Sequence, residues 1–201
     1  MRVFVKVCGI TRVEDLRTVT ESDADAFGMV IGFPRSPRNL TVDAARLLSR
    51  EASGGPLPIA VLNCSDLRFV EDVVSLVEPF GVQTYGLDDP AFLRSTGVKL
   101  LIKPVSLEES RSPEGYDAVL LDQSRGSGRS IDLDEAEKFV RGSRLPVIVS
   151  GGLGPDNVAE VVRRLRPFGV DASSGLESAP GVKDSVKVKA FVRNAREAHV
   201  D

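Results

Sequence analysis

The sequence contains one histidine, His199, close to its C-terminal end. That scarcity excludes a histidine-rich metal site and a buried histidine base, so any acid and base chemistry has to come from other side chains. Cysteine is almost as rare, with Cys8 and Cys64 alone. A single pairing is not expected in a reducing compartment, and both are read as free thiols. No eighteen-residue apolar run is present, which argues against a membrane helix. No basic run is present either: 26 Lys and Arg stand against 29 Asp and Glu, so a nucleic-acid footprint is not expected and any positive site must be local. The N-terminus enters an apolar segment without the features of a secretory signal, and a cytoplasmic location is expected.

What is present is a regular alternation. Short runs rich in Val, Ile and Leu, bounded by Gly, Pro, Asp or Ser, predict strands at residues 3–7, 26–31, 58–62, 82–85, 98–102, 118–121, 147–149 and 170–172. Helix-period segments follow most of them, with Thr11, Thr41, Asp66, Asp132 and Asp156 as candidate N-caps. After the fifth run only a short candidate, 107–110, precedes a Ser-Pro pair, which predicts a vestigial fifth helix. Continuous apolar runs suit strands covered on both faces. No charge block, low-complexity tract or long linker divides the chain, so residues 1–201 are expected to form one domain. Eight βα units predict an α/β fold of the (β/α)8 TIM-barrel type, with an open doubly wound sheet as the structural alternative.

In a barrel the chemistry lies at the carboxyl ends of the strands. The first strand delivers Cys8, the second leads to Ser36-Pro37-Arg38, and the sixth ends in Asp122. The seventh gives Ser150-Gly151-Gly152 and the eighth Asp171 with Ser173-Ser174-Gly175. Cys8 alone is more often a small buried apolar residue than a reactive one, and its place just beyond the first strand is what points it at the pocket mouth; Cys64 is read as structural. Asp122 alone fits a turn or cap. Asp171 sits within a buried run, so its carboxylate must be satisfied and is expected to line the site. Loops after strands seven and eight commonly hold phosphate in this fold, because glycine lets backbone N–H groups approach an anion. Arg38 offers a planar fork for a carboxylate.

At these residues the chain closely resembles the phosphoribosylanthranilate isomerase family. The matching blocks are Lys6-Val7-Cys8-Gly9-Ile10-Thr11, Ala24-Asp25-Ala26-Phe27-Gly28 through Ser36-Pro37-Arg38, and Leu120-Leu121-Asp122 with the following Gly126-Ser127-Gly128. They continue with Ser150-Gly151-Gly152-Leu153, Asn157-Val158, Gly169 through Glu177, and Pro180-Gly181-Val182-Lys183-Asp184. Together they span nearly the whole chain in the family order. The resemblance implies an Amadori rearrangement of N-(5'-phosphoribosyl)anthranilate in tryptophan biosynthesis, without a cofactor or metal. It implies Asp122 as general acid and Cys8 as general base, Arg38 on the anthranilate carboxylate, and Asp171 on the substrate. Gly128, Gly151, Gly152, Ser173, Ser174 and Gly175 would cradle the phosphate.

The sequence departs from the family pattern after the fourth strand, where Gln83-Thr84-Tyr85-Gly86 carries Tyr85 in place of a common histidine. Two other readings remain open at this point: another phosphosugar isomerase or epimerase, and a non-catalytic phospholigand-binding barrel. The expected partner is a small phosphorylated substrate, with neither nucleic acid nor membrane. Monomer and homodimer both fit, since outer apolar positions serve barrel packing or a dimer contact alike.

Overall fold

The structure is a computed structural model that describes residues 2–108, 113–122 and 132–198. Among these residues eight parallel strands close into a barrel: β1 (Phe4–Cys8), β2 (Ala26–Ile31), β3 (Leu57–Leu62), β4 (Gly81–Thr84), β5 (Leu100–Val105), β6 (Ala118–Asp122), β7 (Val147–Ser150) and β8 (Gly169–Ala172). Each strand pairs with the next, and β1 pairs with both β2 and β8. That closure excludes the open sheet. A two-residue strand, Asn39–Leu40, extends the sheet beside β2, and Glu177–Ala179 with Val182–Lys183 forms a small antiparallel pair.

Side chains alternate across each strand, so the barrel has two cores. Inward-facing Ala26, Ile59, Ile102, Ala118, Leu120 and Ile148, with Phe4, Leu57 and Leu100, make an apolar plug. Toward the carboxyl ends Cys8, Val30 and Val61 form a smaller layer with Phe33. Outward-facing residues such as Val5, Val7, Phe27, Met29, Leu121 and Val149 join the helices in the large outer core. The polar exceptions on the inner face, Lys6, Gln83 and Asp171, are buried near the boundary between plug and pocket.

Among the described residues there are seven α-helices, α1 (Val13–Glu21), α2 (Val42–Glu51), α3 (Leu67–Val77), α4 (Pro90–Ser95), α5 (Leu133–Gly142), α6 (Val158–Leu165) and α7 (Ser185–Glu197), and one short 3-10 turn at Ser174–Leu176. Thr41, Asp66 and Asp132 accept from backbone N–H groups in the first turns of α2, α3 and α5, as their sequence positions predict. Two expected caps are corrected. Thr11 does not cap α1; its hydroxyl donates instead to the Gly181 carbonyl at 2.6 Å, and Arg12 occupies the cap position. Asp156 is displaced by Asn157, which precedes α6 and turns its side chain back onto the loop before it.

Strand ends also shift. β1 runs on through Cys8, and β5 starts at Leu100 and ends at Val105, later than the apolar run suggests. Residues 107–108 and 114–115 are turns, so no helix follows β5 among the described residues; 109–112 lie outside them. Polar contacts brace the outer side of β5 instead. Lys103 Nζ lies 2.9 Å from Asp88 and 5.6 Å from the centre of the Tyr116 ring, while the Tyr116 hydroxyl donates to Asp88 at 2.8 Å.

Candidate active site

A cavity of about 710 Å3 opens at the carboxyl ends of the strands. Cys8, Arg38, Asp122, Asp171, Gly151, Gly152, Ser173, Ser174 and Gly175 all line it, so residues spread over the length of the chain meet in one space. Gly126 and Gly128 lie outside the described residues. Both cysteines are free thiols, and Cys64 accepts a hydrogen bond from the Asp66 N–H at the start of α3. Among the described residues no group of three or more His, Cys, Asp or Glu is placed to hold a metal ion, and no helix is long and apolar enough to cross a membrane.

Cys8 and Lys6 are two residues apart on β1 and therefore share its inward face. Lys6 is fully buried and stands in register with Asp171 on β8, its Nζ 3.0 Å from Asp171 Oδ1. Ser150 Oγ donates to the other carboxylate oxygen at 3.3 Å. The carboxylate expected to need a partner therefore has two. Breaking such a buried pair from one side costs about 3–5 kcal/mol, because the remaining charge is left uncompensated. Burial pushes the Cys8 thiol above its ordinary pKa, with Lys6 pulling the other way, Asp171 adding to the rise and Lys183 opposing it. For Lys6, burial works to discharge the ammonium, but Asp171 and then Cys8 override it, and the net direction is upward.

Asp122 ends β6 on the pocket wall. The Tyr85 hydroxyl lies 3.5 Å from Asp122 Oδ2 and accepts from Gln83 Nε2 at 3.2 Å. The Tyr85 side chain is exposed at the mouth, yet its hydroxyl turns inward onto buried Gln83. Burial of that end, reinforced by the Asp122 and Cys8 charges, raises the phenol pKa well beyond its usual value, so it stays a neutral hydrogen-bonding group. Its ring also meets Phe33 edge to face at 5.7 Å. The tyrosine thus meets the Asp122 carboxylate across the pocket.

Arg38 is already engaged. Its Nε and Nη2 each donate to Glu177 at 2.7 Å, a two-point pair that leaves the Nη1–Nη2 edge as a second fork. Lys183, whose side chain is buried, donates to Glu177 at 2.9 Å and to the Ser173 carbonyl at 3.1 Å. Burial lowers the Lys183 pKa against the opposing pull of Glu177. Burial tends to raise the Glu177 pKa, but Arg38 and Lys183 hold it below the usual carboxylate range.

The loops after β7 and β8 lie against each other. A β-carbon on Gly175 would collide with the Leu153 carbonyl group and reach within 3.4 Å of the Gly154 α-carbon. Gly151 and Gly152 both have positive φ, at 102° and 64°, a conformation that favours glycine. Asn157 locks this turn by accepting from the Gly154 N–H at 2.9 Å and donating to the Gly152 carbonyl at 3.0 Å.

A family model described as N-(5'-phosphoribosyl)anthranilate (PRA) isomerase matches residues 5–194. The chain belongs to this family. It is 36% identical to the N-(5'-phosphoribosyl)anthranilate isomerase of Methanoregula boonei, covering 96% of this chain and 97% of that one. It is 37% identical to the enzyme of that name from Thiobacillus denitrificans, covering 98% and 99%. Among solved structures, phosphoribosyl anthranilate isomerase from Thermotoga maritima superposes with a TM-score of 0.85 at 33% identity, covering 97% of this chain and 99% of that one. A phosphoribosyl anthranilate isomerase in complex with reduced 1-(o-carboxyphenylamino)-1-deoxyribulose 5-phosphate gives a TM-score of 0.84 at 33% identity, with the same coverage.

Sequence reading alone misses four polar residues at the site: Lys6, Gln83, Glu177 and Lys183. Lys6 carries a visible signal, a lysine inside the apolar strand Phe4-Val5-Lys6-Val7-Cys8 and in phase with Cys8. Glu177 and Lys183 stand at the ends of unremarkable segments, and only the folded hairpin brings them beneath Arg38.

Proposed function

We propose that this chain converts N-(5'-phosphoribosyl)anthranilate into 1-(2-carboxyphenylamino)-1-deoxyribulose 5-phosphate, with Asp122 as general acid and Cys8 as general base. The observation that carries the reading is that a thiol from β1 and a carboxyl from β6 line one pocket together with the glycine-containing turns after β7 and β8. Protonated Asp122 gives its proton to the ribose ring oxygen as the C1'–O bond breaks, and the anthranilate nitrogen lone pair forms the Schiff base. The Cys8 thiolate then takes the C2' proton, and the electron pair moves to give the enolamine. Tautomerisation delivers the ketose, with no net proton consumed.

The other lining groups suit the ends of that substrate. The Nη1–Nη2 edge of Arg38 can take the anthranilate carboxylate while Glu177 keeps the other edge. The Gly151-Gly152 turn and the Ser173-Ser174-Gly175 segment supply backbone donors for the phosphate, and Asp171, held by Lys6 and Ser150, lines the sugar's surroundings. The test is the fluorescence decay of phosphoribosylanthranilate with purified protein. Turnover by the wild type is expected, and Cys8→Ala and Asp122→Asn should each lower kcat by about 100-fold or more, as loss of a general acid or base does. Near-normal turnover in a folded variant removes that residue from the mechanism.

A further inference from the structure

We propose that Lys6, paired with Asp171 beneath the pocket, is a positioning residue that stabilises the thiolate form of Cys8. The inference rests on the reading of Cys8 as the base and adds the group that readies it. A general base must first lose its own proton to solvent before it can accept one from the substrate. At Cys8 burial opposes that loss, because the thiol is 8% exposed in a largely apolar layer with Val30 and Val61. A nearby positive charge is the remedy, and the barrel supplies one from the same strand face.

The placement is specific. Lys6 is 0% exposed, a position that strands rarely give to lysine without a partner. Its Nζ is fixed at 3.0 Å from Asp171 Oδ1, and Ser150 at 3.3 Å on the second oxygen restrains that carboxylate in turn. Lys6 and Cys8 are in phase on β1, while Gly28 on β2 leaves room for the sulfur beside them. The charged and titratable groups that act on Cys8 come from several elements: Lys6 from its own strand, Asp171 from β8, Lys183 from the small hairpin, Arg38 from the loop after β2, and Tyr85 from the end of β4. Arg38 and Lys183 share Glu177 as counter-ion. Lys6 and Lys183 favour the thiolate, and Asp171 disfavours it.

This gives Lys6 and Asp171 opposite effects on one sulfur, although they form one ion pair. The test uses a Cys64→Ser background, so that Cys8 is the sole thiol, and follows its alkylation by iodoacetamide across pH, with folding checked by thermal melting. Lys6→Met should move the midpoint to higher pH and slow alkylation at pH 8 by about tenfold for each unit moved. Asp171→Asn should move it lower and speed alkylation. A purely structural pair predicts that both variants loosen the pocket and change the rate in the same direction with the midpoint fixed, and that result overturns the proposal.

Lys6→Met leaves the Asp171 carboxylate buried alone and can fail to fold. The double variant Lys6→Met/Asp171→Asn removes both charges with little change of shape. Because Lys6 stands on the same strand face as Cys8 while Asp171 comes from the neighbouring strand, the midpoint of the double variant should still lie above wild type; a wild-type midpoint overturns the proposal. Alkylation needs no substrate, so the two readings fail separately. Normal turnover by Cys8→Ala sinks the catalytic role and leaves the midpoints unchanged, whereas equal midpoints sink the Lys6 role alone.

Discussion

Gly28 on β2 faces Cys8 on β1 so closely that a β-carbon there would lie 2.7 Å from the sulfur and 3.2 Å from the Cys8 α-carbon. Gly28→Ala should therefore displace the thiol, lower kcat and destabilise the fold by about 1–3 kcal/mol, as overpacking does. Combining it with Cys8→Ala, which removes the sulfur, should shrink the stability penalty. Denaturant unfolding of the two single variants and the double variant checks this; fully additive penalties would show that the sulfur is not what Gly28 accommodates.

Arg38→Ala should weaken substrate binding by about 1.5–3 kcal/mol, the size of a charge-assisted hydrogen bond. Glu177→Gln keeps Arg38 but takes the charge from the partner that aims it, so KM should rise less than in Arg38→Ala while kcat falls little. Steady-state kinetics of both variants decides the order. Equal KM values for wild type and Arg38→Ala would remove the guanidinium from substrate binding.

Glu177 also predicts an acid limb of stability. Its pKa is held below the ordinary carboxylate value by Arg38 and Lys183 against the effect of burial. A carboxylate depressed in the folded state contributes stability that is complete above its unfolded pKa, about 4.3, and fades as pH falls through the folded value. The Tm of wild type should accordingly exceed that of Glu177→Gln by a constant amount near neutral pH, and the gap should narrow at more acidic pH. A gap unchanged down to strongly acidic pH would contradict the ion pair's role.

A phosphate-soaked crystal should show an anion against Gly151, Gly152, Ser174 and Gly175. Gly152→Leu puts a bulky side chain at a residue with φ of 64° and should raise KM and obstruct the anion. Cys8 should still react with iodoacetamide in this variant, since the turn follows β7, two strands away from β1 around the ring. Undiminished phosphate binding by the folded variant would place the anion elsewhere.

The strands were legible because a two-faced parallel strand reads as an unbroken apolar run, and the pocket followed from where such strands end in this fold. Cys8, Arg38, Asp122 and Asp171 could thus be assembled before any coordinates. The ion pairs could not. Whether Lys6 met Asp171 depended on the register of β1 against β8, and whether Arg38 met Glu177 depended on a hairpin whose strands are two and three residues long. Helix starts failed where two polar residues stood side by side, as Asp156 and Asn157 do, since propensity cannot choose between neighbours when the loop's own hydrogen bonds decide.

The contact between Lys6 and Asp171 joins residues 165 positions apart, on the strands that begin and complete the ring. A ribosome therefore delivers Lys6 long before the aspartate that pairs with it. Until β8 docks, the first strand lacks one hydrogen-bonding neighbour and the lysine lacks its counter-ion. The reactive environment of the thiol is thus acquired only when β8 docks on β1 and closes the ring, and is denied to any nascent intermediate that stops short of β8.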